Sequence, residues 1–257
     1  MEDRIKTKRV GKVNICEVFG SFRDGFARRG KAAMAQMAQR QQAQAPDLLL
    51  NVKGLTDIDD FGTEVLLETA QSFHRSALLF DRSRLAGKLD FVRLGRKFQV
   101  MTHPAEAATS FAHEFVDLPA ELPEGEERRG LVRLKTALAV QFSPHDKTVE
   151  APLYFAVVTN LCENGLYAEF IDSETESFAV KNLDPMELKL LDVKIILPKL
   201  VSVEAQAKVI HVKKGEGGIG MEFYHFAGGD RQKLGDWLAQ SFIANSQIQG
   251  GVYNEKI

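Results

Sequence analysis

The chain has 257 residues, of which 44% are hydrophobic and 26% charged, and its formal net charge is −2 at pH 7. This composition is typical of a globular protein and leaves room for two domains of ordinary size. The near-neutral charge argues against tight nucleic-acid binding, and no run of apolar residues approaches the length of a membrane-spanning helix.

The N-terminus and the cysteines indicate the compartment. The opening stretch "MEDRIKTKRVGK" is charged and is not followed by the apolar segment of a signal peptide. Cys16 and Cys162 form no Cys-x-x-Cys pair and are too few for a disulfide framework. We therefore expect a cytoplasmic protein without membrane insertion.

The first part of the chain alternates between strand and helix patterns. Apolar runs at residues 12–20, 47–53 and 77–80 are typical of buried strands, and an alanine-rich helix is predicted over residues 26–44. Three further helices are predicted: one with the apolar face Leu66, Ala70, Phe73 and Ala77, one over residues 82–95, and one beginning at Pro104. This alternation predicts an α/β layered domain over residues 1–116.

The pattern changes after an acidic, proline-containing segment at residues 117–127, which is predicted to be a linker. Apolar and polar residues then alternate in several short runs, at residues 132–142, 191–197, 201–209 and 219–223. Period-two runs separated by Gly, Asn and Pro predict an antiparallel barrel or sandwich. Leu234, Trp237, Leu238 and Phe242 predict a closing helix, so the second domain is expected over residues 128–246, with a flexible tail at 247–257.

Enzymatic signatures find no support. The stretch "GEGGIG" at residues 215–220 matches a dinucleotide-binding pattern, but it lies between two predicted strands and not before a helix, so a glycine-rich hairpin is the better interpretation. The six histidines are scattered, which gives no basis for a metal site. We expect a protein that is not an enzyme and that has neither a metal nor a cofactor.

Three arginines are the strongest candidates for a binding site. Residues 117–257 hold 15 basic against 21 acidic residues, so Arg128, Arg129 and Arg133 form a local cluster in an acidic domain. Arg133 alternates with Val132 and Leu134, and its side chain is therefore expected to point away from the core. The planar fork of arginine suits phosphate and can stack on a purine. The alternative is a solvated cluster paired with neighbouring glutamates.

A predicted hairpin follows at "TNLCENGLY", residues 159–167. Asn160 is expected to begin the turn and Asn164-Gly165 to end it, because Asn-Gly is a strong hairpin signal. Taken alone, this segment predicts only a tight turn.

Together, "ERRGLVR", "NLCENGL" and "GIGMEF" resemble the PilZ family, over about residues 127–245. The resemblance implies a small β-barrel with a C-terminal helix that binds the bacterial messenger cyclic di-GMP. In the family pattern R-x-x-x-R followed by [D/N]-x-S-x-x-G, Arg129 and Arg133 supply the first element, with Arg128 before them, and Asn160 and Gly165 supply the second. Cys162 stands where the family usually has serine.

The first domain resembles the STAS domain of anti-sigma-factor antagonists, from about residue 10 to 116. The stretch "LLLNVKGLTDIDDFGTEVLLETA", residues 48–70, is similar to its strand, D-S-S-G motif and helix. In that family a partner kinase phosphorylates the first serine and thereby switches binding. Here Asp59 and Gly62 are kept, but Asp60 and Phe61 replace the serines.

Two interpretations of Asp60 stay open. Its fixed negative charge partly imitates phosphoserine, or it is only an N-cap at the start of a helix. Thr63 is an alternative phosphate acceptor.

The hypothesis is a STAS–PilZ signalling protein that binds cyclic di-GMP and relays it to a protein partner of the STAS-like domain. One alternative is a ligand-independent interaction adaptor with a degenerate barrel, which Cys162 and Asp60 favour. Nucleic-acid binding by the arginines is a third hypothesis, which the acidic surroundings disfavour.

Overall fold

The computed structural model describes residues 2–39, 46–85, 87–115, 133–145, 153–187, 189–213 and 217–251. The chain divides into two compact units, Met1–Asp117 with Ile171–Ser173, and Leu118–Phe170 with Glu174–Ile257. The predicted linker at 117–127, Arg128 and Arg129 lie outside the described residues.

The first unit is built on a mixed six-stranded sheet. Its strands are β1 (Arg4–Val10), β2 (Val13–Phe22), β3 (Asp47–Asn51), β4 (Leu55–Ile58), β5 (Ser76–Leu79) and β6 (Gln99–Met101). The main order is β1-β2-β3-β5-β6, in which only the β1–β2 pair is antiparallel, and β4 pairs in parallel with the end of β2. Parallel strands need crossover connections, which explains why strands and helices alternate along this part of the sequence.

The helices of this unit are α1 (Asp24–Gln39), α2 (Asp60–Ala70), α3 (Arg82–Leu85), α4 (Phe91–Leu94), α5 (Pro104–Ser110) and α6 (Ala112–Phe115). Helices α1 and α2 contact each other and share one core with the sheet. Phe26 and Met34 of α1 and Leu66 of α2 are buried in this core together with Leu48 and Leu50 of β3. Burying each such side chain stabilises the fold by roughly 1.5–3 kcal/mol.

The second unit is a closed barrel of antiparallel strands. They are β7 (Leu134–Pro144), β8 (Tyr154–Cys162), β9 (Gly165–Phe170), β10 (Leu190–Ile196), β11 (Ser202–Val212) and β12 (Gly218–Phe226). Their order around the barrel is β10-β11-β12-β9-β8-β7. Alternate residues point inward, so that Phe142, Phe170 and Ile195, all fully buried, fill the interior.

Two helices accompany the barrel, α7 (Ser173–Asn182) and α8 (Asp230–Gly251), and short 3₁₀ turns occupy Pro185–Glu187 and Pro198–Leu200. The ring of Phe178 in α7 stacks on Tyr154 at a centroid distance of 3.8 Å. Leu234 and Leu238 of α8 are buried in the barrel core. The predicted combination of an α/β layered domain with an antiparallel barrel and a closing helix is confirmed.

Several element boundaries differ from the predictions. The helix expected from Leu66 to Ala77 ends at Ala70, because Ser76 already begins β5. The single helix expected over 82–95 is two short helices, α3 and α4. Strands β1, β4 and β6 and helix α7 were not predicted, and α8 extends to Gly251, five residues into the predicted tail.

Candidate functional site

The hairpin between β8 and β9 differs from the prediction in its turn. Asn160 lies within β8, opposite Lys135 of β7 and Tyr167 of β9, and does not begin the turn. Cys162 pairs with Gly165, so the two turn residues are Glu163 and Asn164. The hairpin exists as predicted, but its turn is one residue earlier than an Asn-Gly turn.

Gly165 is required for a reason other than turn geometry. Neither Asn164 nor Gly165 is among the described residues with positive φ, so this is not a turn that needs the left-handed conformation. Gly165 lies opposite Glu222 of β12. A Cβ at Gly165 would come closer than 3.0 Å to the carbonyl oxygen of Met221. The glycine therefore lets β9 and β12 approach each other.

Strand register brings the described residues of the PilZ-like motif to one end of the barrel. Leu134 pairs with Leu161, and both are buried. Arg133 directly precedes β7 and is exposed, and extending the register by one residue beyond the Leu134–Leu161 pair places it opposite Cys162. Because side chains alternate, Arg133, Asn160 and Cys162 share the outer face of the barrel.

The charge of Arg133 is not neutralised by the described part of the chain, in which no ion pair or hydrogen bond involves its side chain. Tyr167 lies on the same outer face, next to Asn160 in register. Burial raises the pKa of Tyr167 to about 12, and the nearby charge of Glu169 acts in the same direction.

Two adjoining cavities lie where β12 runs past the tip of the hairpin. The backbone amide of Phe223 donates to the carbonyl of Asn164 at 2.8 Å and ties the hairpin to β12. The first cavity, of about 250 Å³, is lined by Glu163, Tyr224 and Arg231 among others. The second, of about 470 Å³, is lined by Glu163, Arg231 and the first turns of α8.

The sequence analysis missed Glu163, Tyr224 and Arg231. The signal that could have found them is the aromatic run "FYHF" at 223–226, which continues the β12 pattern and is followed by a Gly-Gly turn and Arg231. The exposed fraction of Tyr224 is 62%, which is large for an aromatic residue on a strand.

In the first unit, the turn from β4 to α2 at residues 59–62 holds the second set of candidate site residues, Asp59, Asp60 and Gly62. The N-cap of α2 is Asp59, whose Oδ1 accepts a hydrogen bond from the Gly62 amide at 2.6 Å. Asp60 is the first helical residue and is exposed, which corrects the interpretation of Asp60 as the N-cap. Gly62 is buried, and a Cβ there would overlap the carbonyl oxygen of Phe22.

Thr63 is a poor phosphate acceptor in this fold. Its side chain is 5% exposed, and its Oγ1 donates to the carbonyl of Asp59 at 3.0 Å. A kinase would have to open the first turn of α2 to reach it.

Basic side chains surround this turn. Arg23 forms an ion pair with Asp57, and Arg93 of α4 forms one with Glu64 of α2. The guanidinium of Arg28 lies 5.0 Å from the ring centroid of Phe61, which is 37% exposed. The turn therefore presents Asp60 beside an aromatic ring and several arginines.

The structure also bears on three other features considered from the sequence: the glycine-rich stretch, a metal site and a membrane-spanning helix. β12 begins at Gly218, within the "GEGGIG" stretch, so this stretch leads into a strand and not into a helix, as a dinucleotide-binding loop would. Within the described ranges, no three His, Cys, Asp or Glu side chains are grouped to hold a metal ion. No helix there is long and apolar enough to cross a membrane.

No protein-family model matches the chain, and no curated protein matches it. Among solved structures it is similar to the Bacillus subtilis inhibitor of motility, at 21% identity and a TM-score of 0.34, over 48% of this chain and 58% of that one. It is also similar to an anti-sigma factor antagonist from Mycobacterium paratuberculosis, at 13% identity and a TM-score of 0.37, over 42% of this chain and 93% of that one.

A third similar structure is the PilZ domain of Escherichia coli YcgR with cyclic di-GMP, at 12% identity and a TM-score of 0.28, over 51% of this chain and 99% of that one. The chain spans 58% of the length of the inhibitor of motility. The solved structures to which this chain is similar therefore include both anti-sigma factor antagonists and PilZ domains.

Proposed function

We propose that the protein is a non-enzymatic signalling effector that binds cyclic di-GMP on the outer face of its barrel. In this proposal residues 1–116 form a STAS-like domain, residues 128–246 form a PilZ-like domain, and the STAS-like domain contacts a protein partner. The observation that carries the proposal is the strand register, which aligns Arg133 with Cys162 on the face that also holds Asn160.

The ligand contacts follow from the chemistry of these groups. Arg133, with Arg128 and Arg129 from the sequence just before β7, binds phosphate and guanine. The Asn160 amide reads a base edge, and the glycine at 165 keeps the strands close beneath the ligand. Each arginine–phosphate contact is worth roughly 1.5–3 kcal/mol.

Cys162 weakens this site without abolishing it. Replacing a serine hydroxyl by a thiol removes one neutral hydrogen bond, which costs roughly 0.5–1.5 kcal/mol, or about tenfold in affinity at most. The arginine contacts outweigh this loss, so the substitution alone does not argue for a barrel that has lost its ligand.

The relay to the partner runs through the predicted linker. Arg128 and Arg129 adjoin residues 117–127, and a ligand that they grip draws the linker towards the barrel. A coupling of about 1–3 kcal/mol is the usual range for such conformational effects. Asp60 and Phe61 at the start of α2 are the proposed partner-facing residues of the STAS-like domain.

Isothermal titration of cyclic di-GMP into the full-length protein tests the proposal, with GTP as the control ligand. We expect micromolar or tighter binding that is lost in the Arg129→Ala/Arg133→Ala variant and kept in Lys181→Ala, which removes an exposed cation of α7. Absence of heat, confirmed by a second method, contradicts the proposal. The chain is then a ligand-independent interaction adaptor with a degenerate barrel.

A further inference from the structure

The first of the two cavities at the hairpin tip is lined by a carboxylate, a guanidinium and an aromatic ring, which belong to Glu163, Arg231 and Tyr224. Glu163 and Arg231 both line it, yet no ion pair joins them, and within the described ranges neither side chain has an ion-pair or hydrogen-bond partner. Tyr224 contributes an exposed ring, with Lys208 Nζ 4.4 Å from its centroid. A carboxylate and a guanidinium that face one space without neutralising each other present an acceptor and a donor to the same occupant.

Guanine matches this set of groups. Its N1–H and N2 amino group donate two hydrogen bonds, which a carboxylate accepts, and its O6 and N7 accept the two parallel hydrogen bonds of an arginine fork. Its face stacks on an aromatic ring. Adenine cannot form the same contacts. Its N1 is an acceptor and faces the carboxylate, which is also an acceptor, whereas its N6 amino group is a donor and faces the guanidinium, which is also a donor.

The cavity adjoins the proposed ligand face. Glu163 follows Cys162, which is aligned with Arg133, and the cavity begins where Phe223 is bonded to Asn164. We infer that this cavity is a guanine subsite, in which Glu163 accepts from the Watson–Crick edge, Arg231 donates to O6 and N7, and Tyr224 stacks on the base. The inference rests on the proposed function and deepens it, since it assigns a place to one guanine of the messenger.

Affinity for cyclic di-GMP in full-length variants is the first test. Because a bidentate arginine–guanine pair is worth roughly 1–3 kcal/mol, we expect Arg231→Ala to weaken binding about 5- to 150-fold. Arg231→Lys should also bind weakly, since an ammonium lacks the fork. Lys181→Ala removes the same charge outside the cavity and should bind as the unmodified protein does. Unchanged affinity in Arg231→Ala overturns the inference.

Stacking has its own matched pair of variants. Tyr224→Ala should lower the affinity for cyclic di-GMP, whereas Tyr224→Phe keeps the ring and should preserve it. Equal affinity in the two variants contradicts a stacked base. Thermal unfolding of each variant shows whether a loss of binding reflects a loss of folding.

Base discrimination separates guanine from other occupants. Backbone NMR signals of Gly228 and Gln232, followed in the full-length protein, should shift with GMP and not with AMP or inorganic phosphate. Glu163→Gln should reduce the preference for GMP over AMP, because an amide can rotate to accept from or donate to either base. Equal shifts with GMP, AMP and phosphate would mark a general anion site and overturn the inference.

These tests distinguish failure of the proposed cyclic di-GMP binding from failure of the guanine subsite. Cyclic di-GMP binding that depends on Arg133 but not on Arg231 leaves the proposed function standing and removes the subsite. GMP shifts at Gly228 and Gln232 without any cyclic di-GMP binding keep the guanine cavity and remove the proposed messenger.

Discussion

Asp59 accepts a hydrogen bond from the backbone amide of Gly62 at 2.6 Å, and this bond makes Asp59 the residue that caps α2. Asp60 lies one position inside the helix with an exposed side chain. The capping role and the exposed charge therefore belong to different residues. Helix capping therefore does not explain the carboxylate at position 60, whose side chain is exposed.

The first prediction concerns this division. Asp59→Ala should cost about 0.5–2 kcal/mol, because it removes the side-chain cap. Asp60→Ala should cost no more than about 0.3–1 kcal/mol, the value of a carboxylate in the first turn. Hydrogen exchange of the α2 amides measures the loss of stability in both variants. Tryptophan fluorescence does not report on α2, because the single tryptophan, Trp237, lies in α8 of the second unit. A larger effect from Asp60→Ala contradicts the assignment of the cap.

The second prediction concerns the contact of β9 with β12. Gly165→Ala should destabilise the barrel by roughly 1–3 kcal/mol, because its Cβ would overlap the Met221 carbonyl oxygen. Gly235→Ala is the matched control: a Cβ there has open space within α8, and alanine favours a helix by up to about 1 kcal/mol. Urea unfolding followed by Trp237 fluorescence measures both variants. Equal stability of the two would show that the strands can separate at no cost.

The third prediction uses the acid dependence of Asp230. This residue joins α8 to the barrel, since its carboxylate accepts from Lys233 Nζ at 2.5 Å and from the Glu204 amide at 2.8 Å. The hydrogen bond from Lys233 lowers the pKa of Asp230 below its ordinary value. A lowered pKa in the folded state adds stability above the unfolded-state pKa, and that stability is lost as the pH falls through the folded-state pKa.

Asp230→Asn should therefore destabilise the barrel at neutral pH, and its deficit should shrink as the solution is acidified below the ordinary aspartate pKa. Urea midpoints of the variant and the unmodified protein, measured over this pH range, give the difference directly. A deficit that grows on acidification has the opposite sign and contradicts the assignment.

The fourth prediction separates the two cysteines. Cys16 is fully buried in β2, and burial raises the pKa of its thiol to about 12. Cys162 is half-buried on the barrel's outer face. A thiol reagent should therefore label Cys162 alone in the native protein and both residues in denaturant. Under the proposed function, cyclic di-GMP should slow the labelling of Cys162, and labelling of Cys16 in the native state would contradict its burial.

The fifth prediction restores the serine of the PilZ-like pattern. Cys162→Ser should raise the affinity for cyclic di-GMP by up to about tenfold, since it regains one neutral hydrogen bond. Titration calorimetry against the unmodified protein measures the change. Lower affinity in this variant would mean that the thiol itself contributes to the site.

The barrel was predictable because its strands carry a strict period of two. Phe142 and Ile195 mark inward positions that their sequence neighbours already indicate, so the alternation was readable without a structure. The edge strand β1 could not be predicted from the sequence. The stretch "RIKTKRV" pairs with a single neighbour and is mostly exposed, so it lacks the apolar run of a buried strand. Helix α7 was missed because Ser173 and Thr175 are among its buried residues, and they give no apolar stripe.

The candidate site was predictable only in part. Arg133, Asn160 and Gly165 follow a spacing along the chain, and the alternation of side chains along β8 puts Asn160 and Cys162 on one face, opposite the position that Arg133 takes when the register is extended by one residue. Tyr224 and Arg231 come from a strand end and a helix that are distant in sequence. Their approach to Glu163 depends on barrel closure, which no local pattern encodes.

Closure of the barrel also limits how a ligand on its surface can act. A ring of six paired strands has no free edge, so it offers no place for strand addition, and separating any two strands would break a full ladder of hydrogen bonds. The barrel is therefore a rigid platform, and under the proposed function a ligand bound on its outer face leaves the pairing of the strands unchanged.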